Sequence, residues 1–206
     1  MTVSATRIDD FDLALCLGSR LCHDLISPFG AIANGVELLQ MGGQSAGPEM
    51  QLIADSVEAA RARLQTFRMA FGQSRGDQRI SGVEIAKLIE AMASQSRLTV
   101  EMDADGDQPR DEVQMLLLAI MCMESAMPWG GRVLVVRNGS QWRLVGEAER
   151  VKPEPELWSW LGGQGGDALQ APPPAKVHFA LLAQAAAAAN RPLTSDLDEN
   201  GVEITF

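Results

Sequence analysis

The chain is short of basic residues, histidine, cysteine and long apolar runs. Among 206 residues there are 17 Lys and Arg against 27 Asp and Glu, a formal net charge of −10. A surface so poor in cations excludes nucleic acid as the main partner, because a phosphate backbone needs a basic face. Three cysteines, Cys16, Cys22 and Cys122, form no CxxC pair and are odd in number. That excludes a disulfide framework and reads as reduced thiols in a cytoplasmic protein. No apolar stretch is long enough to span a bilayer, and the basic-then-apolar start of a secretory leader is absent, so no membrane partner is expected. The alanine-rich run Ala185–Ala189 belongs to a short helix, and no internal repeat or further low-complexity tract occurs. What the chain does have is apolar material. At 46% hydrophobic residues it can bury one large core or two small ones, and wholesale disorder is excluded.

The apolar residues are arranged in two registers. From about Asp10 to Met41, the residues Cys22, Leu25, Phe29, Ile32, Val36 and Leu39 are spaced 3, 4, 3, 4, 3, a coiled-coil seam. Pro28 lies inside this helix, where it removes a backbone hydrogen bond and is expected to bend it. The run Gly42–Pro48 breaks the pattern, and Pro48 suits the first position of a second helix ending near Gly72. Its seam is Ile53, Val57, Ala60, Leu64, Phe67 and Phe71. Two such helices on a short loop make an antiparallel hairpin. One hairpin cannot cover both seams, whereas two copies paired as a four-helix bundle can, so a homodimer is expected.

A polar, glycine-containing stretch, Gly72 to Gln78, reads as an interdomain linker and places a boundary between residues 1–76 and 77–206. The acidity is unequal across it: 6 basic and 8 acidic residues before, 11 and 19 after. Ser81-Gly82-Val83-Glu84 is a capping box before Ile85, Leu88, Ile89 and Met92. Leu98–Met102 alternates like a strand, Asp103–Pro109 is a turn, and Asp111 is expected to cap a helix to about Met127. Strands over Arg132–Arg137 and Gln141–Glu147 flank Asn138-Gly139 as a hairpin. A loop-rich tract with a helical turn at Leu157–Leu161 precedes a helix over Ala175–Asn190 and a last hairpin, Pro192–Asp196 with Val202–Phe206. The expected class is α+β: a helical hairpin forming a dimeric four-helix bundle, then an α/β two-layer sandwich.

Chemistry concentrates at His23. On the first helix His23, Ser27, Gly30, Asn34 and Glu37 fall at steps of 4, 3, 4, 3, a polar stripe beside the apolar seam. The imidazole is thus placed where another protein can reach it, and neutral imidazole is a nucleophile whose phosphoramidate donates phosphoryl groups. Asp24 follows directly and can bias the ring tautomer; Ser27, one turn on, can bond a phosphoryl oxygen or a water. Gly30 leaves backbone open to a close partner. Taken alone, His23 also fits an ordinary surface or core histidine; the stripe and hairpin context favour the phosphoacceptor. No magnesium cage is evident, and a partner bringing its own metal and acceptor aspartate would meet that need.

The segment from Leu21 to Leu39, LCHDLISPFGAIANGVELL, resembles the phosphoacceptor helix of ChpT-like histidine phosphotransferases. More distantly it is similar to the dimerisation helix of sensor histidine kinases, where His-Asp/Glu precedes Thr/Ser-Pro. The resemblance extends over helical hairpin, linker and a C-terminal domain like a degenerate histidine-kinase ATPase fold. It implies that His23 is phosphorylated, that the partners are receiver domains of a hybrid histidine kinase and of response regulators, and that magnesium comes with the receiver. A non-catalytic dimeric scaffold or inhibitor of the same signalling is the alternative.

A kinase of this class needs an Asn-bearing helix, an Asp-x-Gly-x-Gly-like loop and a glycine-rich phosphate loop. Gln114–Ala126 contains no Asn, and Leu144–Arg150 has no Asp-x-Gly-x-Gly. The run Gly162-Gly163-Gln164-Gly165-Gly166 has no Lys-Ser/Thr after it and reads as a flexible loop, and Ala175–Phe179 replaces the lid glycines. No ATP binding and no autophosphorylation are expected. Outside the His23 stripe the expectations are structural. His178 packs in the core or caps a helix, and Cys22, adjacent to His23, is ill placed to chelate with it. Asp9, Asp10 and Asp12 complement a helix N-terminus, while Arg61, Arg63 and Arg68 sit on helix surface. Trp129, Trp142, Trp158 and Trp160 are expected in packing.

Overall fold

A computed structural model describes residues 10–41, 47–73, 77–162 and 171–206. The chain separates into two compact units, Met1–Gln73 and Ser74–Phe206.

The first unit is two helices, α1 (Asp10–Met41) and α2 (Pro48–Phe71). Asp10 and Asp12 lie in the first turn of α1, where carboxylates favour the helix N-terminus, and Pro48 opens α2 as expected; Asp9 lies outside the described residues. Pro28 sits within α1, which continues as helix to either side. The helices run antiparallel: the Gln73 backbone N–H donates to Ser19 Oγ at 2.9 Å, and Ala33 and Val36 share a cleft with Ala54 and Val57. Gly18 makes this approach possible, because a Cβ there would stand 2.6 Å from the Phe71 carbonyl oxygen.

The apolar residues of α1 divide into two stripes rather than one seam. Leu15, Cys22, Ala33 and Val36 are buried, with Ile26 and Phe29 half-buried between them. Leu17, Leu21, Leu25, Ile32 and Leu39 are all at least 45% exposed. At 100° per residue the second stripe lies about 100° around the helix from the first. The 3-4 spacing read as one seam therefore alternates between a face turned to α2 and a face left open. On α2, Val57, Ala60, Leu64, Phe67 and Phe71 are half-buried and Ile53 is exposed.

The second unit mixes helices with a five-stranded sheet. Its elements are β1 (Arg79–Ile80), α3 (Gly82–Ala93), β2 (Leu98–Asp103), β3 (Gln108–Pro109), α4 (Arg110–Ala126), β4 (Gly131–Asn138), β5 (Gln141–Glu147), α5 (Pro155–Trp158), α6 (Val177–Ala188), β6 (Thr194–Leu197) and β7 (Gly201–Thr205). The sheet order is β2-β4-β5-β7-β6, with β2 and β4 parallel and the other pairs antiparallel. Strands β1 and β3 form a separate two-stranded antiparallel pair, in which β3 comes from the end of the stretch read as a turn.

Local chemistry explains several boundaries. Ser81 Oγ accepts from the Glu84 N–H and caps α3. Pro109 stands at the N-cap of α4, and Asp111, the expected cap, lies two residues further on in the first turn, its Oδ1 accepting from the Glu112 N–H. The hairpin expected around Asn138-Gly139 turns one residue later. Asn138 pairs with Gln141, Gly139 and Ser140 make the turn, and Gly139 takes φ +61°. In the last hairpin Asp198 Oδ1 accepts from the N–H groups of Asn200 and Gly201.

One sheet face carries Val133, Val135, Trp142, Leu144, Val202 and Ile204, all buried, and α4 packs against β5 and β7. The other face holds Arg132–Glu101 and Arg143–Glu203 ion pairs around the register neighbours Leu134 and Val145. Helix α4 is buried on nearly every side, including Val113 and Met115 to Ala119 at 0% exposure, and α6 covers it with Phe179, Leu182 and Ala186. Trp142 and Trp158 are in the core and Trp160 is half-buried. Trp129 departs from the packing expectation: it is 48% exposed, with the Arg150 guanidinium 3.4 Å from its ring centroid.

Candidate functional site

Helix α1 sets out its side chains by angle alone. With the buried stripe facing α2 and the apolar stripe open on one flank, His23 projects on the opposite flank. Its side chain is 81% exposed. The ring is nonetheless held: Nδ1 lies 3.1 Å from Asp24 Oδ1. Asp24 Oδ2 in turn accepts from Arg20 Nε at 2.8 Å. The hydrogen bond to His23 is the largest influence holding the Asp24 carboxyl below its ordinary value; desolvation opposes it, and the hydrogen bond and charge of Arg20 add to the lowering. Asp24 is therefore a carboxylate at neutral pH, and a carboxylate can only accept. With the ring neutral, its proton sits on Nδ1, and the Nε2 lone pair points to solvent.

The other stripe residues are placed but not joined to the ring. Ser27, Asn34 and Glu37 are exposed and Gly30 is half-buried. Among the described residues no hydrogen bond links Ser27 to His23 or Asp24. A Cβ at Gly30 would meet nothing within 4 Å, and the same holds at Gly35. Two glycines inside a helix weaken it by about 0.5–1 kcal/mol each relative to alanine, and no close approach among the described residues of the hairpin requires either.

Cys22 is buried against α2 while His23 faces outward, so the two do not converge on one ion. Burial pushes the Cys22 thiol up and so keeps it protonated at neutral pH, with the Arg68 charge acting in the opposite direction. No group of three or more His, Cys, Asp or Glu side chains converges on one point among the described residues. Arg61 lies 3.9 Å from Glu58, and Arg63 stacks over Phe67.

In the second unit His178, buried, and Ser125, half-buried, form a pair, Nε2 to Oγ 3.0 Å. It has the composition of a base and nucleophile but the wrong proton arrangement. Ser125 Oγ donates to the Met121 carbonyl at 3.1 Å, so toward His178 it accepts, and the imidazole proton sits on Nε2. Burial, and then the Lys176 charge, lower the His178 pKa to about 4. The pair is a neutral link between α4 and α6. The glycine run Gly162–Gly166 enters residues 163–170, outside the described residues, as do Gly42–Ala46 and residues 74–76 of the expected linker.

Two constellations have no counterpart in the sequence reading. Arg20 is the first; its i, i+4 spacing to Asp24 is the signal that would have found it. Glu112 is the second. Though 5% exposed, it accepts from Trp142 Nε1 at 2.7 Å, from Arg137 at 3.3 Å and from Arg191. It ties α4 to the β4–β5 hairpin and to the loop after α6. No local pattern marks a first-turn glutamate as buried.

Residues 82–201 match the family described as Histidine phosphotransferase C-terminal domain. The protein phosphotransferase ChpT of Brucella abortus (strain 2308) is 39% identical over 131 residues, covering 63% of this chain and 62% of that relative. The match thus spans less than two thirds of the relative's length. A solved bacterial phosphotransferase superimposes over 100% of this chain and 98% of its own, with a TM-score of 0.67 and 24% identity; at that identity it speaks for the fold. No helix among the described residues is long and apolar enough to cross a membrane.

Proposed function

This chain belongs to the histidine phosphotransferase family whose C-terminal domain spans residues 82–201, and from that premise we propose that it relays a phosphoryl group between receiver-domain aspartates through His23. The observation that carries the proposal is the His23 ring: exposed, on a helix face clear of the hairpin core, with Nδ1 against a carboxylate.

In the forward step the Nε2 lone pair attacks the phosphorus of a receiver's aspartyl phosphate. The Nε2–P bond forms, the P–O bond breaks, and the aspartate leaves as carboxylate. The ring, still protonated on Nδ1, becomes cationic, and Asp24 faces that developing charge. The reverse step returns the phosphoryl group to a second receiver. Asp24 thus orients the ring and stabilises its phosphorylated form, and Ser27, one turn along the same face, is available to a phosphoryl oxygen or water. Magnesium enters with the receiver, which needs it for its own aspartate; its role is to neutralise phosphoryl charge.

Two helical hairpins pair as a homodimer in this reading. The open stripe of Leu17, Leu21, Leu25, Ile32 and Leu39 supports it, since a contiguous apolar face on a long helix is stable only when covered. Gly35 lies on that flank with open space beside it, as close helix approach requires. Nucleotide is not used: α4 is occupied on nearly all sides by Leu, Met, Ala and Ile packing and carries no Asn.

The test is incubation with a radiolabelled, phosphorylated receiver domain and magnesium. The wild-type chain should take up label and pass it to a second receiver, and His23→Ala should take up none. Label on His23→Ala would overturn the assignment. Binding of receiver by the wild type without any transfer would establish the scaffold reading instead.

A further inference from the structure

We propose that Arg20 is a positioning residue for the His23 reaction, acting through Asp24. The inference rests on the phosphoacceptor reading of His23 and extends it to a residue one turn earlier. Asp24 is the immediate neighbour of His23, and consecutive side chains leave a helix about 100° apart. Its carboxylate meets the ring only by turning back toward it. At 48% exposure an unrestrained aspartate samples several rotamers, most of which lose the ring.

Arg20 removes that freedom. Its Nε bonds Oδ2 at 2.8 Å, and the other oxygen, Oδ1, is left facing His23 Nδ1 at 3.1 Å. Each carboxylate oxygen has its own partner, and the planar guanidinium fixes the plane of the carboxylate as well as its direction. Helix stability does not account for the pair. Arg20 is 73% exposed, exposed pairs contribute little, and a cation four residues before an anion is the less favourable order on a helix. Its consequence is orientation: a pinned Asp24 keeps the ring proton on Nδ1 and the nucleophilic lone pair on Nε2.

Two measurements on the full-length chain test this. Nitrogen-15 spectra of the labelled imidazoles, recorded on the neutral ring, read the tautomer directly; the His23 signal is assigned by its loss in His23→Ala. The wild type should hold the Nδ1–H form, and Arg20→Ala should shift it toward Nε2–H. In the receiver assay Arg20→Ala should slow phosphoryl uptake about tenfold, with Arg20→Lys recovering part of the loss. In an Asp24→Asn background Arg20→Ala should change uptake no further. An unchanged tautomer in Arg20→Ala, or a loss of the same size in the Asp24→Asn background, would overturn the proposal and place Arg20 on the receiver or phosphoryl group instead. The tautomer needs no phosphate, so a wild type that takes up no label defeats the relay reading and leaves this inference to be judged by the spectra.

Discussion

Helices α1 and α4 are both rich in apolar residues, leucine above all, yet the protein spends them in opposite ways. Of the 32 residues of α1 only four are buried, while α4 buries fourteen of 17. Helix α4 is enclosed by the sheet, α6 and short loops, so its unit closes a core unaided. Within its own unit and among the described residues, helix α1 packs on α2 and leaves exposed both an apolar flank and the flank that carries His23. The contrast shows where chemistry is tolerated. In the proposed relay a nucleophile offered to another protein needs exposed helix, and the proposed pairing of hairpins would supply the enclosure that α2 alone does not.

Three perturbations bear on that contrast, the largest first. Leu25→Asp with Ile32→Asp places charge on the open stripe of α1. Each apolar side chain is worth about 1.5–3 kcal/mol when buried. If the stripe is the interface, the pair should weaken self-association by more than about 100-fold, read by sedimentation equilibrium, with the C-terminal unit's unfolding unchanged. Dimers of undiminished affinity would sink the proposed pairing.

Glu112→Ala attacks the enclosed side. It removes the carboxylate that accepts from Arg137, Arg191 and the Trp142 N–H, leaving the Arg191 guanidinium with its bond to the Ser140 carbonyl. Removing one partner of a buried ion pair costs about 3–5 kcal/mol, so denaturant unfolding of the C-terminal unit should move by that order while the hairpin's helicity persists. A change below about 1 kcal/mol would mean that the cluster is held by packing alone.

The smallest effect is pH dependence from His178. Its folded pKa of about 4 lies below the ordinary 6.5, so the unfolded chain binds the extra proton. Stability is full above about pH 6.5, falls as pH drops, and the loss is complete near pH 4. The shift corresponds to at most about 3 kcal/mol. His178→Gln should flatten the thermal unfolding profile of the C-terminal unit between these pH values, without altering the hairpin. A slope that survives the substitution would assign the acid sensitivity to other groups.

Much of the local structure is written in short-range pattern. The span of α1, Pro48 at the start of α2, the Ser81 cap and the Asp198 turn each follow from residues within one or two turns of each other. His23 stands out by the same means, since a polar stripe is a matter of angle around one helix. Other features were invisible for the converse reason. Arg137, Trp142 and Arg191 meet Glu112 across separations of 25 to 79 residues. The β1–β3 pair joins two-residue strands too brief to show alternation. Trp129 looked like core, but its ring lies under Arg150 at the surface.

The sequence by itself determined which helix carries the histidine, which residues share its face, and that the apolar content exceeds what one hairpin can cover. Periodicity and capping are local, and a helix obeys them wherever it is placed. Only the tertiary structure decided which part of the α1 seam turns to α2, which part stays open, and that Arg20 and Asp24 form a chain ending on the His23 ring. Those choices depend on the direction of approach of a second helix and on rotamers selected among near-equal alternatives, and one-dimensional spacing contains neither.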